Sequence, residues 1–153
     1  NMNYFLDSSV LVKRYVNEAG SGWMHKHIFT GNHRLLIAQI TPVEVMSAVY
    51  RQYRSGNYAE RDADAIKLWL KRHLRREYHQ ITLIPDIVEL SQALLKTYFL
   101  KAYDAVQLAS ALFVHQTIKM SNGVGLTFLT SDIKLLTIAK SENIPVIDPQ
   151  SQT

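Results

Sequence analysis

Five short apolar runs alternate with stretches of helical periodicity from one end of the chain to the other, and this alternation limits the fold more than any other feature. The runs are NYFLD (3–7), RLLIAQI (34–40), ITLIP (81–85), LTFLT (126–130) and IPVID (144–148). Three of them are almost continuously hydrophobic, the pattern of strands covered on both faces, as in a parallel sheet flanked by helices. The expected fold is a three-layer α/β/α sandwich around a central, mainly parallel sheet. No repeat, low-complexity tract or linker interrupts the pattern. At 153 residues the chain has the size of one domain, so residues 1–153 are expected to share one core. Asn1 before Met2 reads as a cloning scar. The longest stretch without a strand, 41–80, is expected to hold two helices broken at RSGNY (54–58) and to form a small helical lobe.

Composition excludes several chemistries. With no cysteine there are no disulfides, thiolate metal sites or cysteine nucleophiles, which fits a reducing compartment, the cytoplasm by default. No apolar run reaches membrane-spanning length, and the N-terminus lacks the layout of a signal peptide, so no membrane association is expected. The formal net charge is +4, but residues 51–76 hold eight Lys/Arg against three Asp/Glu and the remainder is nearly balanced. The basicity is local.

Acidic residues recur where strands hand over to helices. Asp7 closes the first run, Glu44 lies just inside the helix after the second, Asp104 opens a helix in KAYDAVQLASAL (101–112), and Asp132 follows the fourth run. The carboxyl ends of parallel strands share one edge, where ligands bind, and Asp7, Glu44 and Asp132 would face it. Each acid also has a structural explanation. Thr41, Pro42 and Glu44 spell a capping box, with Glu44 reaching back to the Thr41 amide. Asp132 would sit favourably at a helix N-terminus capped by Ser131, and Asp7 could cap a helix starting near Ser9. Asp104 is harder to explain so, because its i+4 and i+7 neighbours, Leu108 and Ala111, turn its face inward, no cation occupies a helical-pairing position after it, and Lys101, one turn earlier, could point outward. Four carboxylates within about 5 Å of one another would repel by roughly 3 kcal/mol per pair at an effective dielectric of 20. Oxygen ligands without His or Cys suit Mg²⁺ or Mn²⁺, and two such ions form a clamp for phosphodiester hydrolysis.

YFLDSSVLVKRY (4–15), TPVEVMSAVYR (41–51), YDAVQLASAL (103–112) and TFLTSDIKLLTIA (127–139), in this order over nearly the whole chain, resemble the four acidic motifs of PIN-domain ribonucleases, in particular VapC-type toxins of bacterial toxin–antitoxin pairs. The resemblance implies a PIN-like fold, Mg²⁺ or Mn²⁺ at the acids, endoribonuclease activity on structured RNA such as tRNA or rRNA, a cognate antitoxin and a homodimer. It makes Asp7, Glu44, Asp104 and Asp132 the metal ligands and catalytic acids, with Asp132 ranked below the others, and Ser8 and Thr130 the supporting hydroxyls. Gln107 stands where many relatives have His. Asp148 is read as structural.

YRQYRSGNY (50–58) interleaves Arg51 and Arg54 with tyrosines, and LKRHLRRE (70–77) adds Lys71, Arg72, Arg75 and Arg76. These could contact RNA phosphates or an antitoxin, or simply form a solvated helix face. Lys13 and Arg14 could neutralise the acidic site or lie on a helix surface. His73 and His79 read as surface residues, and Trp23 and Trp69 as packing residues. One alternative stays open, a non-catalytic PIN-fold module binding nucleic acid or protein; a phosphoacceptor domain would need adjacent acids after its first strand and a lysine after its last, and LDSSV and VIDPQ supply neither.

Overall fold

The computed structural model describes residues 2–152; the Asn1 reading lies outside them. Strand β1 (Asn3–Leu6) pairs in parallel with β2 (Arg34–Ala38) on one side and β4 (Thr127–Leu129) on the other, and β3 (Tyr78–Ile81) and β5 (Val146–Ile147) complete the edges. The order is β3-β2-β1-β4-β5, every pairing parallel. β1 is therefore central, and the residue after it emerges at the middle of the sheet's carboxyl edge.

Alternation along the strands divides the core. Leu6, Leu35, Ile37 and Leu129 face one layer with Val10 and Leu11 of α1 (Ser8–Leu11), Met24 of α2 (Ser21–Met24), Val45 and Val49 of α3 (Thr41–Arg54), and Ala63 and Leu70 of α4 (Glu60–Arg76). Phe5, Leu36 and Phe128 face the other, with Ile87 and Leu94 of α5 (Pro85–Thr97), Leu108 and Leu112 of α6 (Ala102–Met120), and Leu135 and Ile138 of α7 (Ile133–Ser141). These are the three expected layers. The break in 41–80 falls at residues 55–59, as the turn residues indicate, and both flanking helices contribute to the core.

The third strand departs from expectation: it runs over 78–81 rather than 81–85. An edge strand needs few apolar side chains, and here only Tyr78 is buried while His79 and Gln80 are exposed. The apolar residues Leu83 and Ile84 instead lead into α5, which opens at Pro85. Among the described residues no helix is long and apolar enough to cross a membrane.

Candidate functional site

Asp7 follows the central strand and is 3 % exposed. It caps α1, with Val10 N donating to Oδ1 at 3.2 Å, and Ser9 Oγ donates to the same oxygen at 2.6 Å. Thr130 Oγ1, just past β4, donates to Oδ2 at 2.5 Å. Burial raises the carboxyl to about 7 even though the bonds from Ser9, Thr130 and Val10 favour its charged form. Asp7 is thus both helix cap and candidate ligand. The hydroxyl holding it after β1 belongs to Ser9, because a cap's side chain turns toward the residues two and three ahead; Ser8, assigned the supporting role from sequence, lines the cleft beside it.

Glu44 does not close a capping box. The helix begins at Thr41 rather than after it, so Thr41 has helical backbone and no side chain caps this end. Its hydroxyl and Glu44 Oε1 instead accept from one donor, Gln107 Nε2, at 2.8 and 3.0 Å. Asp132, not Ser131, caps α7, through Leu135 N at 3.1 Å, and its own amide donates to Thr130 Oγ1 at 3.1 Å. Ser131 N donates to Ser9 Oγ at 2.9 Å. Asp104, in the first turn of α6, is half-buried and borders open space, while Ala105 and Leu108 beside it enter the core. Burial raises its carboxyl, and the charges of Asp132 and Glu44 raise it further against the opposing pull of Lys101 and Lys134.

All four acids line one cleft of about 490 Å³, with Ser8, Ser9, Val12, Ser47, Arg51 and Tyr103 on its walls. Among the described residues no three carboxylates stand close enough together to form a ready-made cage for an ion. The donor set nevertheless fits a hard divalent cation: oxygens only, no imidazole or thiolate in the lining, and like charges close enough to disturb one another's protonation. Tyr103, 54 % exposed at the cleft, and Gln107 were given no role from sequence. Both stand on α6 beside Asp104, and the i, i+3 spacing from Asp104 to Gln107 was the available signal.

The basic residues divide. Arg51 is on the acidic cleft. Arg54 and Lys71 border a neighbouring apolar groove floored by Val43, Met46, Leu70 and Leu74, whereas Arg72, Arg75 and Arg76 are exposed on α4 away from both. Lys13 and Arg14 are drawn off the site by other partners. Lys13, 1 % exposed, pairs with Glu18 at 2.9 Å, and Arg14 pairs with Glu77 at 3.0 Å and donates to Tyr78 Oη at 2.8 Å. His73 is not a surface residue: its Nδ1 lies 2.6 Å from Tyr15 Oη, within a buried cluster with Tyr78. Trp69 is 55 % exposed rather than packed. Asp148 caps a 3-10 turn through Gln150 N at 2.9 Å, a structural role as expected.

No protein-family model and no curated relative matches the chain by sequence. Solved structures do match. A chain of VapBC2 from Rickettsia felis, bound there to a DNA fragment from its promoter, aligns over 96 % of this chain and 98 % of its own, with TM-score 0.61 and 17 % identity. A toxin–antitoxin complex from Klebsiella pneumoniae aligns over 95 % and 97 %, with TM-score 0.60 and 21 % identity. VapBC-1 from nontypeable Haemophilus influenzae covers 98 % and 100 %, with TM-score 0.59 and 16 % identity. The fold is PIN-like. Its likeness to these proteins extends over nearly the full length of both chains, and the PIN-like topology brings the ends of β1 and β4 and the starts of α3 and α6 to one cleft.

Proposed function

We propose that the chain is the toxin of a toxin–antitoxin pair, an endoribonuclease dependent on Mg²⁺ or Mn²⁺, working in the cytoplasm as a homodimer and silenced by a cognate antitoxin. The observation that carries the nuclease reading is the meeting of four carboxylates, from four separate segments, in a cleft at the carboxyl edge of a parallel sheet. The fold shared with chains of toxin–antitoxin complexes supports the toxin role.

Asp7, Glu44 and Asp104 would hold the ions, with Asp132 at the rim. When bound, divalent ions supply Lewis acidity, activating water and offsetting charge on the phosphate. The chain supplies the rest. Ser9 and Thr130 fix Asp7, and Gln107 fixes Glu44. Arg51, on the same cleft, can take a phosphate oxygen of the RNA, and Tyr103 offers a ring to an unpaired base. The antitoxin would block the site by placing a basic side chain among the carboxylates.

Asp7 and Asp132 both serve as helix caps, and among the described residues no three of the acids that share the cleft stand close enough to cage an ion, which also favours a second reading, a binding module that cleaves nothing. One assay separates the two: purified protein is incubated with a mixed cellular tRNA pool and Mg²⁺, Mn²⁺ or EDTA, beside Asp7→Asn. Discrete products that require metal and are absent with the variant support the nuclease. RNA retained but uncut under every metal condition supports the binding module.

A further inference from the structure

Gln107 is 1 % exposed, and its side chain spends both amide protons on α3: Nε2 donates to Thr41 Oγ1 at 2.8 Å and to Glu44 Oε1 at 3.0 Å. The other half of the amide, Oε1, is buried with no partner among the described residues. A buried acceptor left unpaired is costly, and simple packing would favour an apolar residue here. Turning the amide over would bring its oxygen against the Glu44 carboxylate, so the charge of Glu44 fixes the orientation. Gln107 also stands one turn beyond Asp104 on α6, and its bonds run to the first turn of α3 that carries Glu44. One amide therefore ties together the two helices that deliver two of the four acids.

We propose that Gln107 is the positioning residue of the acidic cleft: it orients Glu44 and sets its place relative to Asp104 for a shared divalent cation. This rests on the reading of Glu44 and Asp104 as metal ligands. Hydrogen bonds to ligating carboxylates fix their orientation, and their loss typically lowers metal affinity by 10- to 100-fold.

The test is Mn²⁺ titration by calorimetry of wild type, Gln107→Leu, Gln107→Glu, Gln107→His and Glu44→Gln, with a thermal melt of each metal-free protein. Leu fills the space and removes the orphaned acceptor but offers no donor; Glu keeps the shape and places like charge against Glu44; His restores a ring N–H at similar reach. The expected result is an affinity loss of roughly 10- to 100-fold for the Leu and Glu variants, most of it regained in the His variant, whatever the melting temperature of the Leu variant, which leaves the buried Thr41 hydroxyl without its donor. A purely structural staple would lower the melting temperature and leave Mn²⁺ affinity unchanged, and would overturn the proposal. If Glu44→Gln loses affinity while both the Leu and Glu variants keep it, the positioning role fails and the metal site stands. If Glu44→Gln also binds as wild type does, Glu44 is not a ligand and both readings fall.

Discussion

Thr130 Oγ1 lies 2.5 Å from Asp7 Oδ2 and joins the end of β4 to the end of β1. The same oxygen accepts from the Asp132 amide at 3.1 Å, so one hydroxyl links the first and last of the four acids. Its donation favours the charged form of Asp7 against burial. Thr130→Val keeps the shape and removes the donor. Asp7 should then move further up, the pH at which Mn²⁺ binding sets in should rise, and affinity near neutral pH should fall by about 10-fold. Titrations of the two proteins across pH 5.5–8.5 would read this directly, and coincident profiles would show that the bond is incidental.

The position of Asp7 also predicts how stability follows pH. Its folded-state value of about 7 lies above the ordinary 3.8, so the folded protein holds a proton that the unfolded chain has released. The stabilisation this gives is fully present below the ordinary value and is lost as pH rises through about 7. Metal-free wild type should therefore melt lower at pH 8 than at pH 6, and Asp7→Asn, which cannot ionise there, should flatten the difference and melt higher than wild type at pH 8. Thermal melts in EDTA at the two pH values check both parts. Metal binding should run the other way, weakening below pH 7 and releasing protons.

Tyr15 illustrates a polar group kept for stability. Its hydroxyl lies 2.6 Å from His73 Nδ1 and 2.8 Å from Tyr78 Oη, closing a buried cluster between the chain after α1 and the α4–β3 connection. Tyr15→Phe leaves two partners unsatisfied and should cost about 1–2 kcal/mol in urea denaturation. Mn²⁺ affinity should not change, because neither His73 nor Tyr78 lines the acidic cleft.

Arg51 gives the clearest test of RNA contact by the basic segment, since it alone of the residues singled out there lines the acidic cleft. Arg51→Ala should weaken RNA binding about equally across sequences and reduce the slope of log affinity against log salt by about 1. Filter binding over a salt series measures this; a change confined to one RNA sequence would point to base reading instead.

The layers, the sheet direction and the placement of the acids were legible because each depends on a local pattern: continuous apolar strands, turn residues at 55–57, and an acid where a strand ends. What was not legible depended on distant partners. TPVE has the spacing of a capping box, but Gln107, 66 residues from Thr41 and 63 from Glu44, takes both side chains. In the pair Ser8–Ser9, composition cannot tell which hydroxyl turns back to Asp7; the backbone of the short α1 decides for Ser9. His73 looked exposed on a basic helix until Tyr15 and Tyr78 arrived from elsewhere in the chain, and β3 lacked an apolar signature because it lies at the sheet's edge.

The most direct measurement is Mn²⁺ binding by wild type and Asp104→Asn at pH 7.5. Asp104 is half-buried among Asp132 and Glu44, whose charges already raise its carboxyl, and a cation is what would make that arrangement favourable. Saturable binding by wild type and a large loss in the variant is the predicted result. Equal binding by the two proteins, or none by wild type, would contradict a metal site built on these four acids.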